Sequence, residues 1–163
     1  MLPLYPNMSS VYSFLGVLGL VLILGGCAKP IAYNWRDNSK ICARLSGKNY
    51  TLEVAHTPAA RSKGLSKRSH LTANTGMIFV FDKPSTHRFW MKDTFIPLEL
   101  IWFDTNYSAI AQQTLMVEND PTNPQNNYES PQPAQYAIEI NADELEVPTG
   151  TLLNITSNKE CGA

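Results

Sequence analysis

Short apolar runs separated by polar turns recur along residues 41–156, a pattern that predicts a domain built mainly of β-strands. "ICARL" and "YTLEVA" flank the turn sequence "SGKN" and predict a β-hairpin, in which Tyr50, Leu52 and Val54 share one face. Six later segments predict further strands: "MIFVF" (77–81), "HRFWM" (87–91), "LELIWF" (98–103), "SAIAQQTLM" (108–116), "YAIEI" (136–140) and "VPTGTLLNIT" (147–156, a turn and closing strand).

Helical signals are few and short. Thr57 is suited to the N-cap, Pro58 to the first helical position, and Gly64 to ending the helix, so about two turns are predicted between them. "NADEL" (141–145) predicts one capped helical turn, and "DKPS" (82–85) predicts a chain reversal. The predicted fold class is α+β: a β-rich single domain with a curled or barrel-like, mostly antiparallel sheet and short helices.

The N-terminal segment has the features of an export signal. Residues 11–27 carry no charge, and the apolar stretch 14–24 is short for a membrane span but suited to a signal-peptide core. It ends in "LGGC", which resembles the bacterial lipobox, where the cysteine is lipidated and becomes the new N-terminus. We therefore predict a lipoprotein signal peptide at 1–26, the lipidated Cys27 with a tether at 27–40, and the domain at 41–163. An uncleaved anchor or a buried helix is the alternative.

The predicted lipoprotein signal also predicts where the protein is located. Two or more acyl chains on Cys27 would give stable anchoring, so the membrane is an expected partner. Ala28, rather than Asp, follows the cysteine. The expected location is the bacterial cell envelope, at the outer membrane facing the periplasm if the cell is Gram-negative.

Two further cysteines flank the domain. In an oxidising compartment Cys42 and Cys161 can pair, which would tie the first strand to the C-terminal tail. Two free thiols are the alternative. The sequence has no Cys-x-x-Cys, and its three histidines show no ligand spacing, so neither a metal nor another cofactor is expected.

The charge is unevenly distributed along the chain. The formal net charge is −1, which argues against nucleic acid as a partner. Residues 29–92 hold 12 basic and 3 acidic residues, whereas residues 93–163 hold 1 and 11. We expect the two halves to interleave in one domain, and a bipolar surface with one acidic face is the alternative.

Several motifs together resemble the DUF192 family, also called UPF0127. They are "EVAHTPAARSKGLSKRSHL", "GMIFVF", "FWMKDTFIPLELIWFD" and "YAIEI", and the resemblance covers roughly residues 43–156. The family commonly has Asn at the position of Asp93, Asp at that of Glu99 and Met at that of Ser66. The family is often exported and has no established activity, so the resemblance implies a fold and a location but no reaction.

The segment "STHRFWMKDTFIPLEL" (85–100) concentrates charged and aromatic residues. We predict a ligand-binding site at the mouth of a concavity beneath the loop 118–135. Its aromatic lining could include Trp102 and the loop around Tyr128. In this site Asp93 accepts hydrogen bonds from the ligand, and Arg88 or Lys92 holds an anionic or carbonyl group. The Trp90 ring stacks on the ligand. The predicted site residues are Arg88, Trp90, Lys92, Asp93 and Glu99.

Three function classes remain open. The favoured one is a ligand-binding or accessory domain for a small molecule or glycan. The second is a hydrolase-type envelope enzyme that uses Asp93, Glu99 and His87, although no nucleophile motif accompanies them. The third is a scaffold lipoprotein with an envelope protein as partner. A purely structural alternative makes the same segment part of the core, with Glu99 paired to Arg88 or Lys92.

Overall fold

The computed structural model describes residues 33–156 and Cys161. The predicted signal peptide at 1–26 and the lipidation site Cys27 lie outside the described residues. Within them, no helix is long and apolar enough to cross a membrane. The elements are β1 (Lys40–Leu45), β2 (Lys48–Ala55), α1 (Pro58–Lys63), β3 (Thr75–Ser85), β4 (Arg88–Phe89), β5 (Leu98–Phe103), β6 (Ala109–Leu115), β7 (Tyr128–Glu129), β8 (Ala134–Asn141) and β9 (Asn154–Thr156).

Seven strands form one mostly antiparallel sheet in the order β6-β5-β8-β3-β2-β1-β9, and β4 pairs with β7 as a separate ribbon. The β2–β3 pair is parallel, because α1 and the loop after it return the chain to the end of the sheet at which β2 begins. The sheet is open, so the barrel-like prediction was wrong. Its two edges approach each other around the isolated bridge between Ser108 and Leu152, where the Leu153 amide also donates to the Tyr107 carbonyl, but no strand pairing continues from there.

The sheet carries an apolar cluster on each face. One face holds Leu52, Ile78, Ile101 and Ile138, and the curled sheet encloses them together with Trp35 from the preceding segment. The other face holds Met77, Phe79, Leu100, Trp102 and Ala137, and α1 with the β4–β7 ribbon covers it. The central strands β3, β5 and β8 are therefore buried on both sides, which explains why their sequences are nearly continuous apolar runs.

The local signals for the hairpin and the helix are confirmed. Ser46 and Gly47 both have positive φ (46° and 83°), as a two-residue hairpin turn with the right-handed strand twist requires. Thr57 caps α1 by accepting a hydrogen bond from the Ala60 amide at 3.3 Å, and Pro58 occupies the first turn. Gly64, with φ 49°, ends the helix, and its amide donates to the Ala60 carbonyl.

Three local predictions need correction. The segment 82–85 does not reverse the chain, because β3 continues through an irregularity to Ser85 and pairs again with Ala134. Only Arg88–Phe89 of "HRFWM" forms a strand. "NADEL" is a non-helical turn in which Asp143 has φ 59°, since one isolated helical turn gains too few hydrogen bonds to offset its nucleation.

The ends of the described chain are fixed to the sheet. Cys42 and Cys161 form a disulfide across 119 residues with a Cα–Cα distance of 5.6 Å, as predicted. Residues 33–39, within the predicted tether, belong to the compact unit that begins at Tyr33. In this segment Asp37 accepts hydrogen bonds from the His56 and Thr57 amides, which holds the start of α1 against the domain.

Candidate functional site

A cleft of about 300 Å³ lies between α1 and β4, above the sheet face formed by β3 and β8. Its volume is at the lower end of the range for small-molecule sites. The walls are mainly aromatic and the rim is polar and basic. The lining residues that matter for its chemistry are Arg61, Lys63, Phe79, Phe81, Arg88, Phe89, Trp90 and Glu139.

Glu139 is the most unusual residue of the cleft. It is 4 % exposed and lies on β8 between Met77 of β3 and Leu100 of β5. Its carboxyl lines the cleft and has no hydrogen-bond or ion-pair partner among the described residues. Burial alone raises the pKa of Glu139 to about 8, because the charged form loses its hydration without gaining a partner. The carboxyl is therefore mostly protonated at neutral pH.

Arg61 is a fixed cation on the helix side of the cleft. One of its terminal nitrogens, Nη1, donates to the carbonyls of His56 and Val80, the latter at 2.9 Å. The guanidinium carbon lies 5.2 Å from the centre of the Phe81 ring, within the range of a cation–π contact. Nη2 and Nε donate to no group in the described chain, so this half-buried cation can offer them to a ligand.

The aromatic walls are held by contacts behind the cleft. Phe79 meets Phe89 edge-on at 4.7 Å between ring centres, and Phe89 meets the buried Trp102 in the same way at 5.1 Å. Phe81 stacks on the His87 ring at 3.4 Å. These contacts fix three rings in one arrangement, so the apolar part of the cleft is formed before any ligand arrives.

Two of the five predicted site residues line the cleft. Arg88 and Trp90 stand on its rim, and Trp90 remains 54 % exposed. Arg88 also donates from Nη2 to Glu129 at 3.2 Å, an ion pair that joins the basic and acidic halves of the sequence. The loop 118–135 contributes no lining residue among those of the cleft, which is covered instead by the α1 region.

The other three predicted residues lie elsewhere. Lys92 and Asp93 follow β4 in a turn, where Asp93 has φ 53° and its amide donates to the Pro121 carbonyl. Glu99 is on the opposite sheet face, with Ile101 and Phe103. The Glu99 carboxylate accepts hydrogen bonds from Gln112 (2.8 Å) and Thr114 (2.6 Å), not from Arg88 or Lys92 as the core alternative expected.

His87 is held in a structural role by its surroundings. Its Nε2 lies 3.1 Å from the Ala134 carbonyl oxygen, and its ring stacks on Phe81. Burial lowers the pKa of His87, so the ring is mostly neutral at pH 7. Within residues 33–156 and Cys161, no group of three His, Cys, Asp or Glu side chains is placed to hold a metal ion.

Arg61 and Glu139 were absent from the sequence prediction. Glu139 is the one charged residue in the apolar strand "YAIEI". A single charge in such a strand indicates a buried ionisable group, so the sequence does carry a signal for this residue. Arg61 carries no such signal, because a basic residue in the last turn of a short helix is ordinary.

The family assignment agrees with the motifs. A family model named DUF192, with the description "Uncharacterized ACR", matches residues 41–155. The chain belongs to the DUF192 family. This match covers all of the sheet except the first residue of β1 and the last residue of β9, and it includes all the residues that line the cleft. No curated protein matches the chain.

Two solved structures have folds similar to that of this chain. A Sinorhizobium meliloti 1021 protein, titled a "putative transcription regulator", has a TM-score of 0.66 and 25 % identity, over 74 % of this chain and 96 % of that one. A protein of unknown function from Novosphingobium aromaticivorans DSM 12444 has a TM-score of 0.60 and 24 % identity, over 78 % of this chain and 94 % of that one. The similarity extends across nearly all of the two solved proteins and about three quarters of this chain.

Proposed function

We propose that this DUF192 chain is a cell-envelope lipoprotein whose domain binds a small molecule in the cleft between α1 and β4. The observation that carries the proposal is the Glu139 carboxyl, which is buried, unpartnered in the described chain and directed into a preformed aromatic cleft. An unpaired buried carboxyl costs stability, and such groups are retained mainly where a ligand or a reaction uses them.

The cleft suits binding better than hydrolysis. Of the proposed acid–base trio, Glu99 is on the other sheet face with both oxygens occupied, and His87 is engaged with Phe81 and Ala134. Rigid aromatic walls and one polar group at the base are typical of sites that orient a ligand by stacking and a few hydrogen bonds. Regulation of transcription is not carried over from the Sinorhizobium meliloti protein, because a net charge of −1 is unlike that of basic nucleic-acid-binding domains.

A cleft-blocking variant tests the binding proposal. Ser62 is exposed at the cleft on α1, so Ser62→Trp should fill the opening with little effect on folding. Ala59→Trp adds the same side chain to an exposed position of the same helix away from the cleft and is the matched control. The measurement is a thermal-shift screen of envelope metabolites and short glycans against the wild type and both variants.

We expect at least one compound to raise the melting temperature of the wild type and of Ala59→Trp, but not that of Ser62→Trp, because a ligand stabilises only the state it binds. Equal shifts in all three proteins would move the site away from the cleft. A complete absence of stabilising compounds, confirmed by native mass spectrometry of protein isolated from its own envelope, would end the proposal.

The proposed anchor has its own test. The apolar segment ending in "LGGC" supports cleavage before Cys27 and acylation of that cysteine. Mass spectrometry of the membrane fraction should find an acylated N-terminal Cys27 peptide and no peptide from residues 1–26. Cys27→Ser should abolish the acylated species, whereas a membrane-bound protein that retains residues 1–26 would indicate an uncleaved anchor.

A further inference from the structure

The arrangement of charge around the cleft points to an organic anion as its ligand. We infer that the cleft binds a small molecule with an anionic group at the rim beside Arg61 and Arg88, an apolar or aromatic body, and an inner polar group that hydrogen-bonds Glu139. This inference rests on the proposed ligand-binding function and specifies the chemical class of the ligand.

The sign of the charge follows from the ionisable groups that line the cleft. Arg61, Lys63 and Arg88 contribute three positive charges, and Glu139 is the one acidic residue of the lining. Its neighbours across the sheet, Met77 and Leu100, do not titrate. With the carboxyl protonated, the cleft is positive, so a cationic amine would be repelled and an anion attracted.

Arg61 is the better anchor for the anionic group. Its position is already fixed by two backbone carbonyls and the Phe81 ring, so binding costs little side-chain entropy. Arg88 is exposed and already paired with Glu129, so an incoming anion would have to compete with that carboxylate. A planar guanidinium with free N–H groups is well matched to a carboxylate.

The inner end of the cleft is selective for a different group. A protonated Glu139 can donate one hydrogen bond and accept another, as a hydroxyl or carbonyl of the ligand requires. Phe79 and Phe89 form apolar walls, so the middle of the ligand should be apolar. A single aromatic ring with a carboxylate at one end and a hydroxyl at the other carries these three features, and this choice defines the probes.

Four compounds with one ring skeleton separate the charge from the inner polar group. 4-Hydroxyphenylacetate carries both groups, phenylacetate lacks the inner hydroxyl, 4-hydroxyphenylacetamide is neutral, and tyramine carries a cation. Isothermal titration calorimetry at pH 6.5 with the wild type should rank 4-hydroxyphenylacetate first. We expect 4-hydroxyphenylacetate to bind about tenfold more tightly than the amide. We expect no binding of tyramine.

Substitutions in the cleft identify which residues bind the anionic end of the ligand and which bind its inner polar end. Arg61→Gln should weaken 4-hydroxyphenylacetate about tenfold and leave the amide unchanged, whereas Arg44→Gln, at an exposed position of β1 outside the cleft, should change neither. Because Arg61 also contacts two carbonyls, Arg88→Gln provides a second variant that leaves those contacts in place. In the wild type, binding of phenylacetate, which has no phenol to ionise, should weaken as the pH rises from 6.5 to 9.5, and Glu139→Gln should reduce that dependence. Burial lowers the pKa of His87, so its ring does not gain charge over this range. Arg61, Lys63 and Arg88 are present in both proteins, so the difference between the two pH profiles isolates Glu139.

The outcomes distinguish this inference from the binding proposal. Tighter binding of tyramine, lost in Glu139→Gln, would overturn the anion assignment and retain the cleft as a site. Equal binding of anion and amide would also overturn it. If none of the four compounds binds, the anion inference fails, while the wider screen with Ser62→Trp still decides whether the cleft binds another class of ligand.

Discussion

Replacing both Cys42 and Cys161 with serine should lower the free energy of unfolding by about 2 to 5 kcal/mol. The bridge closes a loop with a sequence separation of 119 residues, and loops of this length gain most from cross-linking in the chain-entropy description. The Cα–Cα distance of 5.6 Å is within the usual range, so the backbone accommodates the bridge. Cys42 is also buried on β1, beside the short edge strand β9.

Urea denaturation under oxidising conditions measures this effect. The wild type should have the higher midpoint, and dithiothreitol should lower it to that of the double variant. The reducing agent should leave the double variant unchanged, which is the internal control. Equal midpoints without the reducing agent, or alkylation of both cysteines in the oxidised unfolded wild type, would contradict the bridge.

Glu139→Gln should stabilise the protein increasingly as the pH is raised, by an amount on the order of 4 kcal/mol at pH 8 and above. The pKa of Glu139 is about 8 in the folded protein and near the ordinary 4.5 in the unfolded chain. Between these values the folded state keeps a proton that the unfolded state has released. Stability contributed by this group is therefore present below pH 4.5 and falls as the pH rises towards 8.

The comparison of variant and wild type is needed because other groups titrate too. Hydrogen bonds to Arg68 hold the pKa of the Glu53 carboxyl low, which makes stability fall at acid pH instead. Burial lowers the pKa of His87, so its contribution rises with pH. Chemical denaturation at several pH values between 4.5 and 9 isolates Glu139 as the difference between the two proteins. Glu146→Gln, at an exposed position, is the matched control and should give a pH profile parallel to that of the wild type.

Local sequence signals were sufficient for the elements whose structure depends on neighbouring residues. The hairpin turn at Gly47 and the helix from Thr57 to Gly64 are determined by φ preferences and capping within a few residues. The openness of the sheet could not be predicted in this way. It depends on how far the segment before β9 pairs with the opposite edge, which is a property of the assembled sheet.

Two glutamates illustrate why the site was harder to predict than the fold. Glu99 in "LELIWF" and Glu139 in "YAIEI" are each the single charge of an apolar strand, and these strands are neighbours in the sheet. Glu99 faces the side of the sheet where Gln112 and Thr114 donate hydrogen bonds to its carboxylate. Glu139 faces the cleft and has no partner in the described chain. Strand alternation alone does not reveal this difference, since it arises from residues distant in sequence.

The same long-range packing explains the mixed result for the segment 85–100. Alternation correctly separates the exposed Arg88 and Trp90 from the partly buried Phe89 and the fully buried Met91. It also places Arg88 and Trp90 together, and both are at the cleft rim. Beyond Met91, however, the chain enters a turn, so alternation gives no position for Lys92 or Asp93.

The most direct test of the cleft as a ligand site is the titration of the Glu139 side-chain carboxyl, followed by its ¹³C chemical shift in protein labelled at glutamate. The resonance is assigned by its absence from the spectrum of Glu139→Gln. A buried carboxyl without a partner should titrate with a midpoint near pH 8 in the absence of ligand. A midpoint near 4.5 would show that Glu139 is hydrated or paired, and the central feature of the proposed site would then be lost.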